Sequence, residues 1–229
     1  MSNSLLTELS SKGMVSLKPK KPCISVGLGT CGIGNGADEL YKALQSLAGK
    51  DVIIKRAGCF GFCAEEPLLM LYQSGKPILL FTQVQGKSAK KYIQAALDPR
   101  ACERLAKTAR AKISRWDFRT SKLDFGEGYP KVPEWNQIPF FKGQEKLVLR
   151  DCGLIDPESL DEYAAVGGYK ALAKAVGSLK PNDVIDMVSA AKLRGRGGAG
   201  FPTGIKWKLM AQNQGSEKWV ICNADEGDP

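Results

Sequence analysis

Residues 195–206 read Gly-Arg-Gly-Gly-Ala-Gly-Phe-Pro-Thr-Gly-Ile-Lys, and Trp207 follows at once. A backbone without Cβ atoms approaches a phosphate closely and aims its N–H groups at it, while Arg196 and Lys206 add positive charge. Phe201 offers a ring for stacking. Residues 222–229, Cys-Asn-Ala-Asp-Glu-Gly-Asp-Pro, add acceptors for hydroxyls and amides. Together these features suit a flavin or nicotinamide nucleotide. Gly195, Gly197 and Gly200 satisfy Gly-x-Gly-x-x-Gly, but the dinucleotide fingerprint follows a strand. Here the preceding residues, Pro181 to Lys192, read as a helix. A P-loop fails too, because Lys206 is followed by Trp207 and not by Ser or Thr. The aromatic and proline residues are unlike those of a flexible linker.

The cysteines form the second constellation. Cys59 and Cys63 stand four positions apart in a glycine-containing turn after a strand, and Cys31 lies in a similar turn, Gly29-Thr30-Cys31-Gly32. With Cys23 they offer four thiols from neighbouring strand ends, as a [2Fe–2S] cluster requires. Tetrahedral zinc and plain buried thiols are the alternatives. Cys102, Cys152 and Cys222 read as structural. The chain has no histidine, which excludes His-based zinc sites, Cys–His catalysis and a histidine base.

Elements must position these groups. Alternation predicts a strand at Cys23–Leu28. Ala37, Leu40, Leu44 and Leu47 predict a helix over 36–47. Val52–Lys55 reads as a strand, 68–72 and 78–81 as a hairpin, and Ser88–Leu97 as a helix. The order β-α-β-β-β-α implies a small α/β sheet domain over 21–98, preceded by a loose basic tail at 1–20. Residues 99–145 read as a helical start followed by an ordered connector, since Trp116, Phe118, Phe125, Tyr129 and Trp135 are costly to leave wet. A second α/β unit is expected over 146–229. It would have a helix capped at Asp156-Pro157 and ended by Gly167-Gly168, helices at 169–176 and 181–191, and a buried strand at 219–223.

Of the 229 residues, 43% are hydrophobic, enough for a packed core. The formal net charge is +9, but the basic residues are scattered along helices, which predicts solvated faces. No nucleic acid is expected as partner. The Arg-Gly loop is neither repeated nor set in low complexity, so RNA binding is the weakest reading. No apolar run is long enough for membrane insertion, and residues 1–13 do not read as a secretory signal. A cytoplasmic location follows, free or at the cytoplasmic face of a membrane complex.

Two segments carry a family resemblance. Gly58-Cys59-Phe60-Gly61-Phe62-Cys63 with Glu66-Pro67, after Val26-Gly27-Leu28-Gly29-Thr30-Cys31-Gly32-Ile33, resembles the thioredoxin-like [2Fe–2S] ferredoxin domain. That domain occurs in the small subunit of respiratory complex I and as an amino-terminal extension of its flavin-bearing relatives. Cys31, Cys59 and Cys63 match its cluster positions. Many such domains have the first ligand just before the Gly-Thr, where this chain has Gly27-Leu28, and Cys23 would substitute. Arg194–Trp207 and Cys222–Pro229 resemble signatures of the flavin- and NADH-binding subunit of complex I, and of diaphorase subunits of NAD(P)-linked hydrogenases and formate dehydrogenases. Segments 139–142, 151–157 and 167–172 are typical of the soluble, hydrogenase-type branch.

The resemblance implies an NAD(P)H dehydrogenase subunit that moves electrons between NAD(P)H, FMN and iron–sulfur clusters. Its partners would be iron–sulfur, hydrogenase, formate dehydrogenase or quinone-reducing subunits of a larger complex. It also implies roles by position. Gly195, Arg196, Gly197, Gly198, Gly200 and Lys206 would hold the FMN phosphate and ring. Asn223 and Asp225 would bond FMN polar groups, Phe201 would stack near nicotinamide or adenine, and Glu226 would contact NAD(H) or NADP(H). Leu209 stands where a second aromatic is often found. Family members continue past the acidic motif to a [4Fe–4S] region, so the chain is expected to be an amino-terminal part. A non-catalytic electron-relay or docking module is the alternative.

Overall fold

The computed structural model describes residues 3–117, 122–147, 149–217, 219, 221 and 223. Two compact units are present, Asn3–Lys170 and the residues from Ala171 onward. Residues 99–170 thus belong with the thiol-bearing sheet, where the sequence places a division near 146.

The first unit is mixed α/β. Strands β1 (Cys23–Gly27), β2 (Ile53–Ala57), β3 (Leu69–Tyr72), β4 (Ile78–Phe81) and β5 (Ala111–Ile113) form one sheet in the order β2-β1-β3-β4-β5. β1 and β2 are parallel, and the pairs β1–β3, β3–β4 and β4–β5 are antiparallel. Over the first four strands this is the thioredoxin-like arrangement, with the third strand antiparallel to the others. Continuous apolar runs such as Leu-Met-Leu-Tyr and Ile-Leu-Leu-Phe have a physical cause here, because both sheet faces are covered. Ile24, Val26, Leu69, Leu71, Leu79 and Phe81 face one core; Cys23, Met70, Tyr72, Ile78 and Leu80 face the other.

The first face is covered by helices α3 (Ala37–Ala48), α4 (Ala89–Leu97) and α5 (Pro99–Ala106). α3 buries Ala37, Leu40, Leu44 and Ala48. Leu47 is exposed, because the core stripe runs to Ala48, four residues after Leu44. Each large apolar side chain so buried is worth about 1.5–3 kcal/mol. The opposite face is covered by the expected aromatic connector, with Trp116, Phe125 and Phe141 buried. Within that connector a two-stranded ribbon pairs β6 (Arg115–Asp117) with β7 (Lys122–Asp124). Phe118 lies outside the described residues.

Three expectations are corrected. The loose tail at 1–20 is largely helical: α1 (Asn3–Leu17) packs on α6 (Leu160–Ala165). Gly13 permits the contact, since a Cβ there would lie 2.0 Å from the Asp161 carbonyl oxygen. The helical start at 99–113 ends at Ala106, and β5 follows as an added sheet strand. Ser159, not Asp156, caps α6, its hydroxyl accepting from the Glu162 N–H at 3.2 Å.

The second unit contains α7 (Lys170–Ser178), α8 (Pro181–Ala190) and α9 (Thr203–Gln212). α8 and α9 pack together at Gly204, where a Cβ would lie 2.2 Å from Ser189 Oγ. Of the buried strand expected at 219–223, Trp219 and Ile221 are exposed, and residues 220 and 222 lie outside the described residues. A strand is stable only against a neighbour, and no described residue of this unit belongs to a sheet.

Candidate functional site

The thiol site is built by the parallel pairing of β1 and β2, which brings the loops after both strands to the same sheet edge. Leu28 N–H donates to the Ala57 carbonyl at 3.1 Å, so the loops leave side by side. Gly29 lies so close to the second loop that a Cβ there would stand 3.0 Å from Cys59 Cβ. Cys31 then opens the short helix α2 (Thr30–Gly34). After β2, Gly61 at φ +85° reverses the chain and donates its N–H to Cys59 Sγ at 3.3 Å. That reversal returns Cys63 to the site at the start of a 3-10 turn. A hydrogen bond between Cys31 and Cys63 raises the Cys63 thiol above its ordinary range, and burial raises Cys59.

Beneath these thiols lies Glu66, almost wholly buried. Its Oε2 accepts from the Leu68 N–H at 2.8 Å, whereas its buried Oε1 has no hydrogen-bond partner. Burial pushes this carboxyl up. The unpartnered Oε1 leaves this buried carboxyl incompletely hydrogen-bonded at the floor of the loop.

Cys31, Cys59 and Cys63 are therefore brought together, and Cys23 is not. Register pairs Cys23 with Ile53 and Gly27 with Ala57. Cys23 thus stands at the far end of β1, four residues at about 3.3 Å each, roughly 13 Å from the loop. It is buried in the core, and burial pushes its thiol up to about 11. This is a protonated core thiol. Its effect on stability has a definite sign. The unfolded thiol ionises near 8.5–9, so between about 9 and 11 the folded state holds a proton the unfolded state has lost. Stability contributed below pH 9 is lost as pH rises toward 11, by about 2 kcal/mol. Denaturation midpoints across that range should fall less steeply in Cys23→Ala than in the parent chain. Parallel pH profiles would refute the assignment.

Among the described residues no group of three or more Cys, Asp or Glu side chains is close enough to hold a metal ion. Cys31, Cys59 and Cys63 share one end of the sheet without closing around an ion.

Close by, Lys146 is held over aromatic rings. Its Nζ lies 4.4 Å from the Phe60 ring centroid, 5.0 Å from Phe141 and 5.4 Å from Trp135, and it donates to the Phe60 carbonyl at 2.8 Å. Burial lowers its pKa, while Cys152 and Cys59 act in the opposite sense. Cys152, read from the sequence as structural, lies in a loop that packs on the Cys59 turn, where Gly58 N–H donates to the Ile155 carbonyl at 3.1 Å. It is 89 positions beyond Cys63, too far for any spacing rule to connect them.

The second unit presents the glycine loop as a hairpin-like excursion between α8 and α9. Gly195 N–H donates to the Phe201 carbonyl at 2.8 Å, and Thr203 N–H donates to the Leu193 carbonyl at 2.9 Å. Arg194 Nε crosses the loop to the Gly200 carbonyl at 2.7 Å. Gly198 and Gly200 have φ of +94° and +60°, conformations that side chains resist. Nothing lies within 4 Å of a Cβ built at Gly197 or Gly198, so the loop tip is open to a ligand. α9 starts immediately afterwards without a side-chain cap, and its first turn carries Lys206. Arg196, Phe201 and Lys206 are exposed on this edge. The helix-first context read from the sequence holds. Asn223 is among the described residues, whereas Asp225 and Glu226 lie outside them.

Residues 188–229, which contain this loop, match the Nuo51 FMN-binding domain of the complex I 51-kDa family. The chain is similar to subunits of that family over part of its length. It is 53% identical over 88 residues to the NADP-reducing hydrogenase protein HndC of Solidesulfovibrio fructosivorans, covering 38% of this chain and 18% of that protein. It is 47% identical over 85 residues to an NADH-quinone oxidoreductase subunit of Rhizobium meliloti, covering 37% and 20%. The chain thus matches about a fifth of these relatives' length. Among solved structures, a thioredoxin-like [2Fe–2S] ferredoxin from Aquifex aeolicus aligns with 41% of this chain and 93% of its own, at 15% identity and a TM-score of 0.34.

Proposed function

We propose that the chain supplies the flavin loop and an attached thiolate domain to an NAD(P)H dehydrogenase (diaphorase) of a multi-subunit redox complex. The observation that carries this reading is the open Gly195–Gly200 loop, pinned at both ends, within the segment that matches an FMN-binding domain. In this reading the loop N–H groups and the start of α9 receive the FMN phosphate, with Arg196 and Lys206 balancing its charge. Phe201 stacks on a nucleotide ring. Asn223, Asp225 and Glu226 contribute polar contacts to FMN and NAD(P)H. Bound FMN supplies hydride acceptance from the nicotinamide and one-electron transfer onward to iron–sulfur centres, including a [2Fe–2S] cluster at Cys31, Cys59 and Cys63.

Partner subunits would carry the electrons further, at a cytoplasmic location. No helix among the described residues is long and apolar enough to cross a membrane. The alternative, an electron-relay or docking module without catalysis, is favoured by one observation: Cys31 and Cys63 are exposed on a unit that is compact by itself. The two readings separate on flavin. FMN titration of the chain, followed by flavin fluorescence, should show saturable binding. Lys206→Ala should weaken it about tenfold, equivalent to about 1.4 kcal/mol. Absence of binding in the parent chain would favour the relay module, and equal binding by the variant would remove Lys206 from the site.

A further inference from the structure

We propose that the outer face of α4 and α5 docks an acidic segment of a protein partner, whose carboxylates meet Lys91 and Arg104 across the cleft between the two helices. The face involves none of the residues of the thiol loops or the glycine loop. Burial fixes which side chains it shows. α4 buries Ala89, Tyr92, Ile93 and Ala96, which leaves Lys90, Lys91 and Gln94 exposed. α5 buries Cys102, Leu105 and Ala106, which leaves Arg100, Arg104 and, just past the helix, Lys107 exposed. Charges that read as scattered along the sequence are thereby gathered on one surface. A cleft of about 330 Å³ bridges the helices, lined by Lys91 and Gln94 from α4, Ala101, Arg104 and Leu105 from α5, and Thr108.

The charges on this face differ from those of a merely solvated helix. Other helices of the first unit pair their charges one turn apart: Lys12 with Glu8 at 2.7 Å on α1, and Lys42 with Asp38 at 3.4 Å on α3. On α5 the same spacing sets Arg104 beside Arg100, two like charges that weaken an isolated helix. Lys87, Lys90, Lys91, Arg100, Arg104 and Lys107 have no ion-pair partner among the described residues. The acids within 87–107 are Asp98 and Glu103. Asp98 is committed to capping α5, where it accepts from the Arg100 N–H at 2.8 Å. An anion relieves such a self-repelling surface, and several cations on one face steer an acidic partner toward it. The apolar residues of the face point to a protein. Ala101 and Leu105 line the cleft and Leu97, 52% exposed, ends α4, so an apolar centre is ringed by charge as at protein interfaces. Single-stranded nucleic acid would need rings for base stacking, and Tyr92, the aromatic residue of these helices, is buried. The apolar area exposed here is too small to seat a helix in a membrane surface.

The test is binding of a fluorescein-labelled peptide of repeating Glu-Glu-Leu to the whole chain, followed by fluorescence anisotropy at low and rising salt. Binding should saturate, and should fall steeply as salt rises. Lys91→Glu combined with Arg104→Glu should weaken it about tenfold. Lys20→Glu combined with Lys50→Glu makes the same change of charge at exposed positions before β1 and after α3. That pair should leave binding within about twofold of the parent, because charges off the face are screened. Circular dichroism checks that each variant is folded. Lys91→Gln with Arg104→Gln, which removes charge without reversing it, should also weaken binding, by a smaller factor. Equal weakening by the two reversal pairs would assign the binding to net charge and overturn the proposal, as would a parent chain that shows no saturable binding. A single-stranded oligonucleotide or phosphatidylserine vesicles might be tried on the same variants: either one bound more tightly than the peptide, and lost with Lys91 and Arg104, would refute an acidic protein as the partner.

Discussion

Replacing Glu162 by alanine is expected to lower the stability of the first unit by about 3–5 kcal/mol, the cost of stranding one member of a buried ion pair. Glu162 is fully buried, and Lys55, with which it pairs, is 14% exposed. Both carboxylate oxygens are occupied. Oε1 accepts from Ser16 Oγ at 2.5 Å and from Lys55 Nζ, and Oε2 accepts from the Asp156 N–H at 2.8 Å. One carboxylate thus joins α1, β2, the segment before α6 and α6 itself. Removing it leaves a buried ammonium, a hydroxyl and a backbone N–H without an acceptor. Urea denaturation followed by tryptophan fluorescence should show a large fall in midpoint. Replacing the pair together, with Lys55→Met and Glu162→Leu, should recover most of the loss, because no unpaired charge remains. A single variant within about 1 kcal/mol of the parent would show that the pair is solvated in solution.

That carboxylate also explains why the amino-terminal helix was illegible in sequence. Residues 3–17 interleave serines with apolar side chains in no clear helical stripe, and only a few, such as Leu6 and Leu17, are buried. Their helical state depends on contacts with α6 and on Ser16 meeting Glu162, more than a hundred positions away. The sheet was legible because two-sided burial writes unbroken apolar runs into β3 and β4. The three-residue β5 is shorter than any periodicity can reveal. The candidate sites divide the same way. Cys59 and Cys63 share one turn, and Cys31 occupies the matching turn after a parallel strand, so their convergence follows from local pattern and topology. Cys23 sits eight positions before Cys31, but an extended strand turns that short separation into distance. Cys152 shows the converse, a distant position whose loop folds onto the Cys59 turn because only glycine at 153 fits over Phe60. The glycine loop was readable because its conformation is local: positive φ and hydrogen bonds between its own ends. The strand expected after it depends on a sheet that the described part of that unit does not contain.

Phe60→Ala is expected to cost a further about 3–5 kcal/mol, and to act on the thiol site as well as on stability. The ring is 2% exposed and meets Trp116 at 5.8 Å, Trp135 at 5.8 Å and Phe141 at 5.2 Å, all edge-on. Such pairs add about 0.5–1.5 kcal/mol each beyond burial. On one side the ring supports Lys146; on the other it is the surface against which Gly153 closes. Truncation opens a cavity where three segments meet and frees the 149–155 loop. The stacked pair Trp116–Trp135, with centroids 5.1 Å apart, provides a local reporter in the near-ultraviolet circular dichroism. The variant should lose that signal and melt earlier. Phe60→Leu keeps much of the volume and should retain most of the stability while losing the ring contacts. A Phe60→Ala variant that keeps the Trp116–Trp135 signal and melts with the parent would show that the ring does not hold this cluster together.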